Sequence, residues 1–258
     1  MKNAFLLVFI ALLLALAACG GGSGSSNSNS NSTTTTAQAT PGAAQGVYSG
    51  TTSANYAFQG IVLPNDRLYA IYGTKSTSGF LVYGLMIGQG TSMSNGKFNG
   101  TYTDYYYTGT VYPGTLAATY VAGASLGGSY SENGTTYNIN ATPMASTDFN
   151  YNTPASLSQI AGTWSGTALD ATSGTFTVNA NGSFSGSVQG CSITGSLTPD
   201  TTKNFFNVTM TFGPSPCASA SQTATGIAVT YLLSDGVHHQ LLVAGSNATM
   251  GALFIAEQ

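Results

Sequence analysis

The sequence predicts an all-β protein: two tandem antiparallel up-and-down β-barrels of about eight strands each, behind an N-terminal leader and a flexible tether. Three observations predict it. Asn95-Gly96, Asn133-Gly134, Asn181-Gly182 and Asp235-Gly236 are hairpin signals, because Asn-Gly and Asp-Gly tolerate the positive φ of a type I′ turn. Apolar residues then alternate with polar ones: Val208, Met210 and Phe212 against Asn207, Thr209 and Thr211, and Ile227, Val229, Tyr231 and Leu233 against Ala228, Thr230 and Leu232. That is the period of strands with one buried face. Finally the chain repeats itself. Gly46-Val47-Tyr48-Ser49-Gly50-Thr51 recurs as Gly162-Thr163-Trp164-Ser165-Gly166-Thr167, and about 90 residues of strand-like sequence follow each copy.

The leader is residues 1–18. Met1-Lys2-Asn3 carries one positive charge, and the run from Ala4 to Ala18 carries none. Those 15 residues make roughly 22 Å of helix, less than the roughly 20 residues a bilayer core needs. A basic start, a short apolar middle and a small-residue end mark a secretory signal. Leu16-Ala17-Ala18-Cys19 resembles the lipobox of bacterial lipoproteins. The resemblance implies a diacylglycerol thioether on Cys19, cleavage before it and acylation of the new amine, a stable multi-chain membrane anchor. Gly20, where Asp would imply retention at the inner membrane, implies sorting to the outer membrane.

The mature chain then starts at Cys19, and residues 19–45 read as a tether. From Gly20 to Gln45 there is no charge and no large apolar side chain, so little surface can be buried to offset ordering entropy. As a Gly/Ser-type coil it reaches roughly 25–30 Å. A Gly-rich tether is common to surface lipoproteins, which favours display on the cell surface; a spacer with no sidedness is the other reading.

Beyond the tether, composition bounds the function. After Lys2 is removed, 4 basic and 8 acidic residues remain, and charged residues are only 5% of the whole chain, against a usual share of about 25%. That excludes nucleic acid or anionic lipid bound through a basic patch. A hydrophobic share of 42%, with 15 Tyr and 12 Phe, supplies a core. The first barrel is expected over 46–143 and the second over 160–258. Residues 144–159 lack alternation and read as a linker. In the second half, strands are expected near 163–169, 175–179, 183–189, 191–198, 205–212, 223–233, 237–244 and 250–256. Short connections favour a meander, and closure removes exposed edges.

Gly162-Thr163-Trp164 at the start of a strand resembles the opening of calycins, the superfamily of lipocalins and avidins. Gly162 through Gly174-Thr175-Phe176-Thr177-Val178 to Asn181-Gly182-Ser183-Phe184-Ser185-Gly186 is similar to the first three strands of an avidin. The resemblance implies architecture only. The chain has one Trp, so avidin's pocket tryptophans are missing, and no Arg near the end packs over Trp164 as in lipocalins. Tandem barrels on a lipid tether also resemble, in layout, the transferrin-binding and factor H-binding surface lipoproteins.

Candidate sites are few. In an exported chain Cys191 and Cys217 are expected to form a disulfide, closing a loop of about 25 residues for roughly 3–4 kcal/mol. His238 and His239 point to opposite faces of a strand and cannot readily chelate one metal. Asp66, Asp104, Asp148, Asp170, Asp200 and Asp235 fall mostly in expected turns, and no acidic pair has distinctive spacing. Asn-x-Ser/Thr triplets such as Asn99-Gly100-Thr101 reflect composition. Tyr105-Tyr106-Tyr107, with Tyr102 and Tyr112, is the candidate binding cluster. Alternation puts Tyr105 and Tyr107 on one face and Tyr106 on the other. Exposed Tyr suits partner or glycan recognition; Tyr lining a barrel wall is the other reading.

The expectation is therefore a non-enzymatic, outer-membrane-anchored lipoprotein that binds a protein or glycan through polar, aromatic surface. The alternatives are a carrier of a small apolar ligand, with inward Gly186 and Gly195 leaving room, and a structural envelope protein. No catalytic set, cofactor or metal is expected. Cavity volume separates the first two: a barrel packed with side chains argues for surface binding.

Overall fold

The computed structural model describes residues 37–76, 79–233 and 237–258. The leader, Cys19 and the tether through residue 36, together with the Asp235-Gly236 signal, lie outside the described residues. Eight strands form the first barrel: β1 (Gly46–Thr52), β2 (Ala57–Val62), β3 (Arg67–Ser76), β4 (Gly79–Ser92), β5 (Lys97–Tyr106), β6 (Val111–Val121), β7 (Ser125–Glu132) and β8 (Thr135–Pro143). A 3-10 turn, Leu157–Gln159, precedes the second set. That set is β9 (Gly162–Ala168), β10 (Ser173–Val178), β11 (Ser183–Val188), β12 (Cys191–Pro199), β13 (Phe206–Phe212), β14 (Thr223–Leu232), β15 (His239–Ser246) and β16 (Gly251–Glu257). Each set is a closed meander. Antiparallel pairing of β1 with β8 closes the first, and of β16 with β9 the second.

Turn chemistry follows the sequence with one refinement. Asn133 and Gly134 both take positive φ, 47° and 76°, as a type I′ turn requires. At the Asn95-Gly96 and Asn181-Gly182 turns only the glycine does. There the Asn side chain accepts the backbone N–H two residues on, from Lys97 and from Ser183, an Asx turn.

The internal repeat occupies equivalent places. Tyr48 and Trp164 both point inward from the first strand of their barrel and are buried. Each donates a hydrogen bond to the carbonyl four residues earlier, Tyr48 Oη–H to Ala44 O at 2.9 Å and Trp164 Nε1–H to Ile160 O at 2.8 Å. Each ring thus ties the incoming chain across one barrel end.

Two segments do more than sequence reading assigned them. The tether, expected to run to residue 45, gives way to fixed structure from Ala37. Gly42 N–H donates to Asp66 Oδ1 at 2.9 Å and Ala44 N–H to Ser92 Oγ at 3.1 Å. Ser92 Oγ–H donates to the same Asp66 carboxylate at 2.6 Å. Asp66 and Ser92 are both buried, and their polar atoms help hold a segment that has no large apolar side chain, only the small Ala44 packing into the core. Residues 144–159 carry no strand, yet Phe149 and Tyr151 are buried. Tyr151 Oη–H donates to Val62 O at 3.2 Å, and Tyr151 O accepts Asn204 N–H at 3.0 Å. The segment therefore bonds to both barrels.

The barrels share an apolar face. Outward side chains Ile61, Ile71 and Leu85 of β2–β4 cluster with Ile227, Ala244 and Leu253 of β14–β16, with Phe149 and Tyr151 wedged among them. Within Gly79–Gly88, Phe80, Val82, Leu85 and Ile87 join this shared cluster and Met86 lines its own barrel, a register shift against β3 breaking strict alternation, while Leu81 is exposed.

Candidate functional site

The two interiors differ. In the first barrel, aromatic rings fill the space beside inward glycines: a Cβ at Gly84 would enter the Tyr72 ring, and one at Gly114 the Tyr102 ring. What remains is a cavity of about 80 Å³. The second barrel is plugged at one end by Ile160, Trp164 and Phe206, all fully buried. Toward the other end it opens into a cavity of about 650 Å³, within the range of pockets that hold drug-sized ligands. Its walls are the inward residues of the strands, among them Phe176, Phe184, Ile193, Met210, Phe212 and Val243. Gly186 and Gly195 do not provide the room: Phe176 lies over Gly186 and Phe184 over Gly195. The space lies nearer the mouth.

That mouth is built from the turns after β9, β11, β13 and β15, which contribute Asp170, Thr172, Gln189, Ser219 and Thr249. The Cys191–Cys217 disulfide, closing a sequence separation of 26, ties the long β13–β14 connection to the start of β12, and Cys191 itself lines the pocket. The first barrel supplies the remaining wall: residues Tyr105–Val111, the end of β5 and the hairpin to β6. Tyr105 lies flat against Gly251, where a Cβ would enter its ring. The pocket is thus composite, with its depth in one barrel and part of its rim from the other.

The five candidate tyrosines are not one exposed patch. Tyr102 is buried inside the first barrel, its hydroxyl 3.4 Å from Glu132 Oε2. Tyr105 is half-buried against the second barrel, and Tyr112 and Tyr106 are half-buried too. Tyr107 is exposed but does not share a strand face with Tyr105. It falls beyond the end of β5, and its ring sits 4.6 Å from that of Tyr106 and 6.0 Å from that of Tyr83. His239 opens β15 with its N–H on Gln258 O, and both histidines are exposed. Among the described residues no group of three or more His, Cys, Asp or Glu is placed to hold a metal ion, and no helix is long and apolar enough to cross a membrane.

Sequence reasoning missed Asp104. It is not in a turn but on the inward face of β5, in phase with Phe98 and Tyr102, and is 1% exposed. Tyr72 Oη–H donates to its Oδ2 at 2.6 Å, and Oδ1 has no hydrogen-bond partner among the described residues. Burial, opposed by the Tyr72 bond and assisted by the charge of Glu132, pushes its carboxyl up to about 7. The folded barrel therefore holds this proton far more tightly than the unfolded chain does. Below about pH 4 both states are protonated. Between about 4 and 7 the unfolded chain ionises first, so stability falls as pH rises and levels off above 7. Asp104→Asn is expected to flatten this slope in a series of thermal melts from pH 4 to 8. It should melt above the wild type at pH 8 and close to it at pH 4, leaving the smaller slope of Glu132, whose carboxyl burial also raises.

No family model matches the chain, and no curated protein matches it. A solved structure from Nostoc punctiforme, described as a protein with unknown function from the DUF3598 family, is similar over 83% of this chain and 93% of that one, at 11% identity and a TM-score of 0.27.

Proposed function

We propose that this protein is an envelope lipoprotein, anchored through lipid on Cys19, whose second barrel carries a small apolar ligand. The observation that supports this reading over partner binding through exposed tyrosines is the contrast between the two interiors: the second opens into a cavity of about 650 Å³ that reaches the composite mouth, whereas the ring-filled interior of the first keeps about 80 Å³. A calycin-like reading of the barrels accords with it, since a barrel mouth is a common place for such ligands.

The test is a fluorescence titration of soluble residues 37–258 with N-phenyl-1-naphthylamine, an uncharged apolar dye. Saturable one-to-one binding is expected. Val243→Trp fills the pocket from β15 and should abolish it, with Val188→Trp near the mouth as a second blocking variant. The absence of saturable binding to the wild type, or binding untouched in folded forms of both variants, would refute the carrier reading. The anchor is tested separately: Cys19→Ala should lose metabolically incorporated fatty acid and leave the membrane fraction, and undiminished label would defeat it.

A further inference from the structure

We infer that the pocket selects a neutral amphiphile, an apolar body bearing an uncharged hydroxyl or ester head, and discriminates against the matching carboxylate. This rests on the carrier reading above and adds the charge class of the ligand. The walls are apolar below a rim of Thr108, Thr110, Thr172, Gln189, Ser219 and Thr249. Hydroxyls and an amide both donate and accept, so this rim can satisfy an uncharged polar head once water is displaced.

It offers no positive charge to an anion. Among the described lining residues there is no Lys, Arg or His; the one carboxylate there is Asp170. Asp170 Oδ1 already accepts from Thr172 N–H at 3.1 Å and Thr172 Oγ1–H at 2.6 Å, which fixes the position of this acidic side chain at the rim. The lysines and the arginine among the described residues are not in the lining. Arg67 sits over the Tyr69 ring at 5.3 Å. Lys203 bonds Asn152 Oδ1 at 2.7 Å and belongs to the β12–β13 connection, at the plugged end. Lys75 and Lys97 are on the first barrel. A carboxylate head brought to this mouth would lose water, gain no counter-ion and face Asp170. An uncompensated charge partly removed from water is costly.

The experiment displaces bound N-phenyl-1-naphthylamine from residues 37–258 at pH 8 with 1-decanol or decanoate, which share an alkyl body. Decanol is expected to displace the dye at least about tenfold more effectively, a difference of about 1.4 kcal/mol. Ser219→Lys, which places a cation at the rim, should narrow that gap by improving decanoate and leaving decanol nearly unchanged. Equal displacement by the two compounds, or no response of decanoate to Ser219→Lys, overturns the charge inference while leaving the pocket in place. If the dye does not bind at all, the carrier reading itself has failed.

Discussion

Leu85→Asp should uncouple the two barrels. Leu85 is on β4 and fully buried, yet it points out of its own barrel into the face shared with β14–β16. Truncating a buried Leu to Ala costs about 2–5 kcal/mol, and an unpaired carboxylate in the same place costs more. Each barrel keeps its own closed ladder of hydrogen bonds, so far-UV circular dichroism should change little at low temperature. Calorimetry should change a great deal: the midpoint should drop by about 10 °C or more, at about 2–4 °C per kcal/mol for a body of this size, and the transition should broaden or split. Leu81→Asp is the control on the same strand. Leu81 is 56% exposed, and its replacement should stay within about 0.5 kcal/mol of the wild type. Equal effects at the two positions would contradict a shared face.

The second large effect belongs to the disulfide. Replacing Cys191 and Cys217 with Ser reopens a connection spanning a separation of 26 residues, worth about 3–4 kcal/mol in the chain-entropy model. The loss should fall on the second barrel. It should also reach the pocket, because Pro216, Ala218 and Ser219 of the tethered β13–β14 connection form part of the mouth. The double variant is therefore expected to melt lower and to bind the apolar dye more weakly. In the folded wild-type protein both thiols should resist alkylation until reduced, and free thiols in the folded protein would refute the bond.

The strands were legible because alternation and turn residues act locally. β13, expected near 205–212, runs Phe206–Phe212 with every second residue buried. What escaped depends on packing across the fold. Asp104 belongs to a residue type that favours turns, and only its inward phase with Phe98 and Tyr102 marks it as interior. Phe149 and Tyr151 were hidden because a wedge between two barrels has no period. The ordered stretch from Ala37 was hidden because its partners, Asp66 and Ser92, lie far along the chain. The pocket was the least legible feature. Inward glycines suggested room, but room depends on where neighbouring rings fall, and Phe176 and Phe184 fall over Gly186 and Gly195. Part of its rim also comes from a strand of the other barrel, through the contact of Tyr105 with Gly251.

The methionines offer the most direct test of ligand carriage by the second barrel. Met210 and Met250 line the large cavity, Met86 lines the small cavity of the first barrel, and Met144 lies at the face between them. Residues 37–258 labelled with ¹³C at the methionine methyls would be titrated with 1-decanol and followed by NMR. Saturable shifts of the Met210 and Met250 methyl signals are expected, with Met86 unmoved. Shifts confined to Met86 or Met144, or no saturable shift at Met210 and Met250, would contradict ligand carriage by the second barrel.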